Sequence, residues 1–282
     1  MQLGKFQRLV WAHYKKYGRH TLPWRPPTLK LRRDKTFDPY RVLVAEIMLQ
    51  QTQVERVVPF YKKFIKRFPT ARALARAPLS EVLKQWQGLG YNRRAKALHQ
   101  AAKDIVAHHK GVVPRDVSAL GALPGIGPYT ARAIAAFAFN QDVIFVETNI
   151  RTAILHHFYT TDTFIYESVS DTRIQEILEK ALPKGKAREW HSALMDYGAH
   201  LKRSGVRINA RSAHYTKQSK FDGSAREARG AILRELAQGT ASSARLTGLL
   251  GTKRRAQMRA ALEALQKEKL VEKNKGKYML AG

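Results

Sequence analysis

The stretch from residue 123 to residue 131 reads Leu123-Pro-Gly-Ile-Gly-Pro-Tyr-Thr-Ala131. Its two glycines lie two residues apart between two prolines, so this stretch cannot continue a helix. We expect a tight hairpin between two helices, in which Gly125 and Gly127 carry no side chain that would keep another backbone away. The second helix is predicted to begin near Pro128 or Tyr129. A glycine-rich turn that opens a helix suits an anion, and an ordinary helix–helix corner is the alternative.

An apolar helix and a single acid follow the hairpin. Residues 131–139 are small and apolar, which predicts a closely packed core helix. After a further short apolar run comes Glu147, and Thr148 and Asn149 are suited to cap a helix over 150–158. The acid could complement the dipole of that helix, or it could be a carboxylate held at the floor of a cleft.

The chain is strongly basic. Among its 282 residues, 51 lysines and arginines face 22 aspartates and glutamates, which gives a formal net charge of +29 at pH 7. This excess predicts a polyanionic partner such as double-stranded DNA. No stretch approaches the ~18 consecutive apolar residues of a membrane span, and no signal peptide opens the chain. We therefore expect a cytoplasmic, nucleoid-associated protein of bacterial type that is a monomer and has no membrane partner.

The sequence contains no cysteine. Disulfides, zinc–thiolate sites and iron–sulfur clusters are therefore excluded, because all of them need thiolate ligands. We expect neither a metal nor another cofactor.

Helical periodicity dominates the rest of the chain. Helices are predicted over residues 1–17, 79–86, 174–182 and 190–201, with others opening after Asp38, before Phe60 and at Arg93. Residues 29–35 are predicted to be a basic loop, and residues 202–220 an irregular basic segment. Beyond these, helices over 225–236, 243–250 and 254–269 precede a β-hairpin that turns at 274–276, which is a winged-helix pattern. The fold class is therefore all-α with a small α+β tail.

Six blocks of sequence, in order, resemble the helix-hairpin-helix (HhH-GPD) DNA glycosylase superfamily, and within it the MutY-like adenine glycosylases. They are residues 22–25 (LPWR), 38–40 (DPY), 46–54 (EIMLQQTQV), 88–91 (GLGY), 123–127 (LPGIG) and 193–198 (ALMDYG). The resemblance implies a two-lobed helical core that binds duplex DNA with a mismatched or damaged base, flips that base and hydrolyses its glycosidic bond. It divides the chain into a glycosylase core over 1–201, a basic linker over 202–223 and a winged-helix-like domain over 224–282.

The resemblance assigns the chemistry to a few residues. Glu46 would protonate the departing adenine at N7, and burial beside Ile47 would favour its protonated form; an exposed surface glutamate is the alternative. Glu147 takes the place of the family's aspartate, which stabilises or attacks the oxocarbenium-like sugar, a division of labour like that of glycoside hydrolases. Asn149 matches an asparagine beside that acid, or is a plain helix cap.

Two residues decide what activity to expect. The extra methylene of Glu147 moves the carboxylate by about 1.5 Å, and a displacement near 1 Å can cost ~10²-fold in rate. The pocket is therefore rebuilt, the activity is weak, or the substrate differs. Tyr129 stands where bifunctional relatives carry a Schiff-base lysine, which predicts a monofunctional glycosylase. Its hydroxyl could bond Glu147, or its ring could pack on the helix start.

Other residues are expected to contact DNA. The residues of the turns at 50–51 and 89–91 resemble the wedge that enters the base stack when a base is flipped. The lysines and arginines of the set would contact phosphates, and a solvated surface is the alternative for them. The set is Gln50, Gln51, Leu89, Gly90, Tyr91, Arg93, Arg94, Gly125, Ile126, Gly127, Thr130, Lys202, Arg203, Lys217 and Lys220.

Two departures from the family leave the substrate open. The family normally carries four cysteines for an iron–sulfur cluster where this chain has residues 202–220, and it ends in a domain for 8-oxoguanine that the winged-helix-like tail does not match. Excision of adenine opposite guanine or 8-oxoguanine is the favoured interpretation. The alternatives are a glycosylase for mismatched thymine or uracil, or for another damaged base, and a non-catalytic DNA-binding protein.

Overall fold

The computed structural model describes residues 1–25, 37–159, 169–208 and 220–282. They form two compact units, each drawn from three separate stretches of chain. Unit 1 comprises Met1–Val42, Arg115–Ala122 and Ile126–Lys217, and unit 2 comprises Leu43–Pro114, Leu123–Gly125 and Gln218–Gly282. The predicted basic loop over 29–35 lies outside the described residues, as does most of the predicted irregular segment, including Lys217.

The described residues are mostly helical, which confirms the predicted fold class. In chain order the helices are α1 (Leu3–Tyr17), α2 (Pro39–Leu49), α3 (Val54–Arg67), α4 (Ala71–Arg76), α5 (Leu79–Trp86), α6 (Arg93–His108), α7 (Val117–Gly121), α8 (Pro128–Phe139), α9 (Thr148–Phe158), α10 (Asp171–Ala181), α11 (Ala187–Arg203), α12 (Ala225–Gln238), α13 (Ser243–Gly248) and α14 (Arg255–Lys267). The strands are β1 (Val271–Asn274) and β2 (Lys277–Leu280). Within the described residues, no helix is long and apolar enough to cross a membrane.

Unit 1 is built around α11, which packs against α1, α8 and α9. Trp190 of α11 is fully buried, and its ring meets that of Phe6 edge to face with the centroids 6.2 Å apart. Burying large aromatic side chains is a major source of stability in a core of this kind. Helix α11 is thus fixed from several sides.

Unit 2 has its core between α3, α5 and α6. Phe64 and Trp86 are fully buried and meet edge to face at 5.8 Å between ring centroids. The C-terminal helices α12 to α14 belong to the same unit, and they close with an antiparallel hairpin in which Val271 lies opposite Leu280. The predicted three helices and hairpin are therefore confirmed.

Several element boundaries differ from the sequence prediction. Helix α4 was not predicted, and α7 was expected only as the helix before the hairpin, without bounds. Thr70 and Asp116 cap these two helices by accepting backbone N–H bonds from Ala73 and Ala119. Helix α9 begins at Thr148 and is capped by Glu147, so the prediction of Thr148 or Asn149 as the cap was wrong.

Helix α11 runs from Ala187 to Arg203 and is therefore longer than the predicted helix over residues 190–201. Lys202 and Arg203 are therefore helical, not part of an irregular linker. The domain boundaries at residues 201 and 223 stay predictions.

Candidate active site

Glu147 is held at the N-terminus of α9. Its carboxylate accepts a hydrogen bond from the backbone N–H of Asn149 at 2.7 Å and another from Asn149 Nδ2 at 3.1 Å. The side chain is half-buried. Two N–H donors and the positive end of a helix dipole both stabilise a negative charge. The carboxylate of Glu147 is therefore held in a fixed position at the start of α9.

Helix α11 approaches the start of α9 so closely that only glycine fits at the crossing. A Cβ atom built on Gly198 would overlap the carbonyl oxygen of Asn149 and would lie 2.5 Å from its carbonyl carbon. Asn149 is the residue that bonds Glu147. Gly198 therefore sets the position of the acid through the backbone. The sequence block 193–198 contained this glycine, but its spacing alone gave it no role.

A buried histidine, which was not predicted from the sequence, contacts the segment that precedes Glu147. His191 of α11 is fully buried, and its Nε2 lies 2.9 Å from the carbonyl oxygen of Val143. Its ring stacks on Phe145 with the centroids 4.1 Å apart, and the ring of Tyr129 meets Phe145 edge to face at 5.5 Å. Burial lowers the pKa of His191 to about 4, so the imidazole is neutral and donates Nε2–H to Val143.

Lys202 and Arg203, predicted to contact phosphates, lie in the last turn of α11. Lys202 is half-buried and lies within the electrostatic field of Glu147. Burial lowers the pKa of Lys202, and the negative charge of Glu147 acts in the opposite direction. Arg203 is exposed. The charge of Glu147 thus acts on one of these two cations, and the other lies at the surface.

Two of the six sequence blocks meet at Asp196 of α11. Its carboxylate accepts a bond from Arg25 NH1 at 2.7 Å, and bonds from the Arg19 side chain at 2.6 Å and the Arg19 backbone at 2.8 Å. Burial opposes ionisation of Asp196, but the two arginines outweigh it and lower its pKa. This buried ion pair anchors α11 to the segment that follows α1.

Glu46 lies on α2 and is buried, with 7% of its surface exposed. Its neighbours Ala45 and Ile47 are 1% and 0% exposed. The alternative of an exposed surface glutamate is therefore wrong.

Arg94, which is also predicted to contact a phosphate, binds the end of α2. Its NH1 donates to the carbonyl oxygens of Ile47 at 3.0 Å and Met48 at 2.9 Å, and also to that of Gln50. Its NH2 donates to Thr52 Oγ1 at 3.1 Å. Burial lowers the pKa of Arg94 to about 10, so it keeps its charge. Arg94 thus replaces the helical donors that the last carbonyl groups of α2 lack.

The hairpin between α7 and α8 has the predicted geometry. Gly125 has φ +78, which is natural for glycine, and a Cβ atom there would lie 2.7 Å from the Cβ of Ala97. Gln50 Nε2 donates to the Gly125 carbonyl at 3.2 Å, so one predicted DNA-binding turn supports the other. Gly127 is the N-cap of α8. Ile126 and Thr130 are 4% and 3% exposed, which leaves mainly their backbone for a DNA contact.

The turn over residues 87–91 is braced by the C-terminal part of unit 2. Gln87 Nε2 donates to the carbonyl oxygen of Leu233 at 2.7 Å, and Arg226 NH1 donates to the Tyr91 hydroxyl at 3.1 Å. Leu89 is only 4% exposed, so to enter a base stack it would have to leave its buried position. Gly90 and Gln51 are exposed. Arg93 is also exposed, but it pairs with Glu268 at 2.6 Å.

The comparison with protein families gives a match over residues 44–184 to the HhH-GPD superfamily of base excision DNA repair proteins. This match contains Glu46, the hairpin and Glu147. The chain belongs to this superfamily.

Within the superfamily, the chain is similar to proteins named adenine DNA glycosylase. One from Mycolicibacterium smegmatis is 35% identical over 300 residues, covering 100% of this chain and 97% of that protein. One from Mycobacterium tuberculosis is 39% identical over 178 residues, covering 63% of this chain and 56% of that protein. The chain thus spans nearly all of the first relative and about half of the second.

Two solved structures share the HhH-GPD fold with this chain. A thermostable thymine-DNA glycosylase is 26% identical with a TM-score of 0.59, over 70% of this chain and 86% of that one. Endonuclease III in a non-covalent DNA complex is 21% identical with a TM-score of 0.53, over 69% of this chain and 85% of that one, and shows the fold alone.

The iron–sulfur cluster that the family resemblance implies does not fit this member of the superfamily. Its ligands are cysteines, and the sequence has none. In the described ranges, no three histidine, aspartate or glutamate side chains come together as a metal-binding group.

Proposed function

We propose that the protein is a monofunctional adenine DNA glycosylase. It binds double-stranded DNA as a monomer, flips an adenine paired with guanine or 8-oxoguanine out of the stack, and hydrolyses its glycosidic bond. The proposal is supported by the full-length similarity to the Mycolicibacterium smegmatis protein of that name. In this proposal the protein acts on nucleoid DNA in the cytoplasm and uses neither an iron–sulfur cluster nor a metal ion.

The observation that carries the proposal is the contrast between two carboxyl groups. Glu46 on α2 is buried, with 7% of its surface exposed, whereas Glu147 is half-buried and accepts two N–H bonds at a helix N-terminus. Two carboxyl groups in different environments can divide the acid and base roles, as they do in other sugar-cleaving sites.

These two groups take the roles that breaking a purine–sugar bond requires. Glu46 gives its proton to N7 of adenine, so that the base leaves as a neutral molecule when the bond between C1′ and N9 breaks. Glu147 stabilises the positive charge that develops on the sugar. A water molecule then adds to C1′ and loses a proton. Asn149 and Gly198 act as positioning residues, because Asn149 donates to Glu147 and Gly198 lets α11 approach Asn149.

A thymine or uracil mismatch glycosylase is the second candidate. The similarity to the thermostable thymine-DNA glycosylase favours it, since that structure matches 70% of this chain. The two candidates differ in their need for Glu46. A pyrimidine has no N7 to protonate, so excision of thymine or uracil should continue without that acid.

Single-turnover cleavage on a panel of duplexes tests the proposal. The panel contains adenine opposite 8-oxoguanine or guanine, thymine or uracil opposite guanine, and hypoxanthine opposite thymine. Glu46→Gln and Glu147→Gln should each abolish adenine release, with Glu55→Gln, an exposed acid of α3, as the matched control. Release of thymine or uracil alone, unaffected by Glu46→Gln, would support the second candidate. Binding without any cleavage would leave a DNA-binding protein.

A further inference from the structure

The C-terminal part of unit 2 has the arrangement of a winged helix-turn-helix. Helix α14 packs against both α12 and α13, and a short 3-10 turn over Thr252–Arg254 joins α13 to α14. Gly251 precedes this turn with φ +84. The β1–β2 hairpin follows α14 directly, in the position of a wing. In such a motif the second helix of the pair is the one that enters the major groove of DNA.

Helix α14 has one buried and one exposed face. Met258, Leu262 and Leu265 are 0–2% exposed and face the unit 2 core. The opposite face presents Arg255, Arg259 and Lys267 to solvent. Ala256, Ala260 and the acid Glu263 are the other exposed residues of this helix. Small side chains next to two arginines let a helix come close to a polyanion. The shape of this face is therefore suited to a DNA groove.

The wing carries three exposed lysines, Lys273, Lys275 and Lys277. Lys275 lies at the tip, where the chain turns with φ +44. Lys273 lies over the ring of Tyr278, with its Nζ 5.6 Å from the ring centroid. The wing has one acid of its own, the exposed Glu272. Its net charge is positive.

Most other acids of this part of unit 2 are already paired with arginines of its scaffold. Glu227 pairs with Arg254 at 2.8 Å, Glu235 pairs with Arg245, and Glu268 pairs with Arg229 at 2.5 Å. Among the described residues, no ion pair joins an acid to Arg255, Arg259 or the three wing lysines. Their charge is thus left for an external partner.

We propose that α14 and the β1–β2 hairpin form a second DNA-binding surface, which contacts the phosphates of duplex DNA whether or not a lesion is present. Arg255 and Arg259 lie at the groove edge, and the wing lysines contact the backbone. Contacts of this kind position a protein on DNA without reading its sequence. The proposal goes beyond base excision, since it concerns undamaged duplex.

Hydrogen bonds connect this surface to α6, the helix that follows the predicted wedge turn over residues 87–91. The Glu268 carboxylate also accepts from Arg93 NH2 at 2.6 Å, and its carbonyl oxygen accepts from Lys96 Nζ at 2.5 Å. Both partners lie on α6, directly after the 87–91 turn. The surface formed by α14 and the wing therefore belongs to the same compact unit as Tyr91.

The salt dependence of binding to an undamaged duplex tests the proposal. The slope of log K against log salt concentration is negative. Each lost phosphate contact should reduce the magnitude of this slope by about 0.9. For Lys273→Gln/Lys275→Gln/Lys277→Gln we expect a slope reduced by roughly 2 to 3, and for Arg255→Gln/Arg259→Gln a reduction of roughly 1 to 2. Thermal unfolding verifies that each variant is folded.

The matched control is Lys62→Gln/Lys63→Gln/Lys66→Gln, which removes three exposed lysines from α3 and the same charge. A slope unchanged in the wing variant, or reduced equally in the control, would overturn the proposal. Because the duplex contains no lesion, this result does not depend on excision. Single-turnover cleavage at saturating enzyme should be retained in the wing variant, so failure of the glycosylase proposal would be seen separately.

Discussion

Gly198 shows how one missing side chain can control a catalytic group. We predict that Gly198→Ala slows single-turnover excision by ~10²-fold or more, because the added Cβ must push Asn149 away from α11 and carry Glu147 with it. DNA affinity should change far less than the rate. Rates and binding constants measured for the same variant separate these two effects.

The control for this change is Gly230→Ala in α12, where a Cβ would meet only the far end of Arg234 at 3.5 Å. Alanine is the better helix former by up to about 1 kcal/mol, so this variant should be as stable as wild type or more so. A Gly198→Ala protein with the wild-type rate would show that Gly198 does not position the acid.

His191 makes the stability of the protein depend on pH. In the unfolded chain a histidine takes up a proton near pH 6.5, whereas burial lowers the pKa of native His191 to about 4. Between these values the unfolded state binds more protons, so stability is complete above pH 6.5 and is lost as the pH falls toward 4. The loss is up to about 3 kcal/mol.

Denaturant unfolding between pH 7 and pH 4.5 measures this effect. His191→Gln keeps a donor for the Val143 carbonyl but does not titrate, so its stability should fall less steeply over this range. His108→Gln, at an exposed position of α6, should follow the wild-type curve. Identical slopes for wild type and His191→Gln would contradict the assignment.

Not all site residues could be found from the sequence. Glu46 and Glu147 stand out because each follows or precedes an apolar run within a few positions. His191 bonds Val143, which lies 48 positions away in the sequence. Asp196 bonds Arg25, which lies 171 positions away, and also Arg19. Such contacts are created by the packing of α11, and neither periodicity nor local spacing carries a signal for them.

At the scale of elements, Arg94 decides how α2 ends. We expect Arg94→Met to lower the free energy of unfolding by about 2–4 kcal/mol, because several carbonyl groups lose a charged donor at once. The turn after α2 should also become more open to proteolysis. The control is Lys103→Met, because Lys103 is an exposed residue of α6, the helix that carries Arg94. Equal stability of the two variants would show that Arg94 does not hold this helix end.

Element prediction succeeded where capping and periodicity agree, and failed where a short helix depends on its neighbours. Helix α8 begins at Pro128 as predicted, since proline suits a first turn. Helices α4 and α7 have six and five residues. Helices so short are not stable alone, so their pattern is weak and their existence depends on α6 and α8, against which they pack.

At the scale of the whole molecule, Glu268 connects the C-terminal helices to α6. Hydrogen bonds from Arg229 and Arg93 outweigh the effect of burial and lower the pKa of Glu268 to about 2. The stabilisation from this carboxylate is present above its ordinary pKa of 4.5 and is lost as the pH falls toward 2. Its pairs therefore hold throughout the neutral range.

Glu268→Gln should lower the stability of unit 2 by about 1–3 kcal/mol at pH 7. The difference from wild type should shrink as the pH falls toward 3, and hydrogen exchange should speed up in the 87–91 turn. Glu263→Gln changes an exposed acid of the same helix and should have little effect. If both variants behave alike, Glu268 does not make this connection.

The composition of the two units was beyond sequence reasoning. Local patterns gave the helices in order, but each unit combines three stretches separated by many residues. The grouping of residues 218–282 with 43–114 depends on pairs such as Gln87 with Leu233, whose partners lie 146 positions apart. No periodicity encodes such a pairing.

The support of Glu147 by α11 also has a consequence for where the sequence can vary. Asn149, His191 and Gly198 hold this acid from the start of α9 and from within α11. Substitutions in the segment that follows α11 can therefore accumulate while the carboxylate keeps its place.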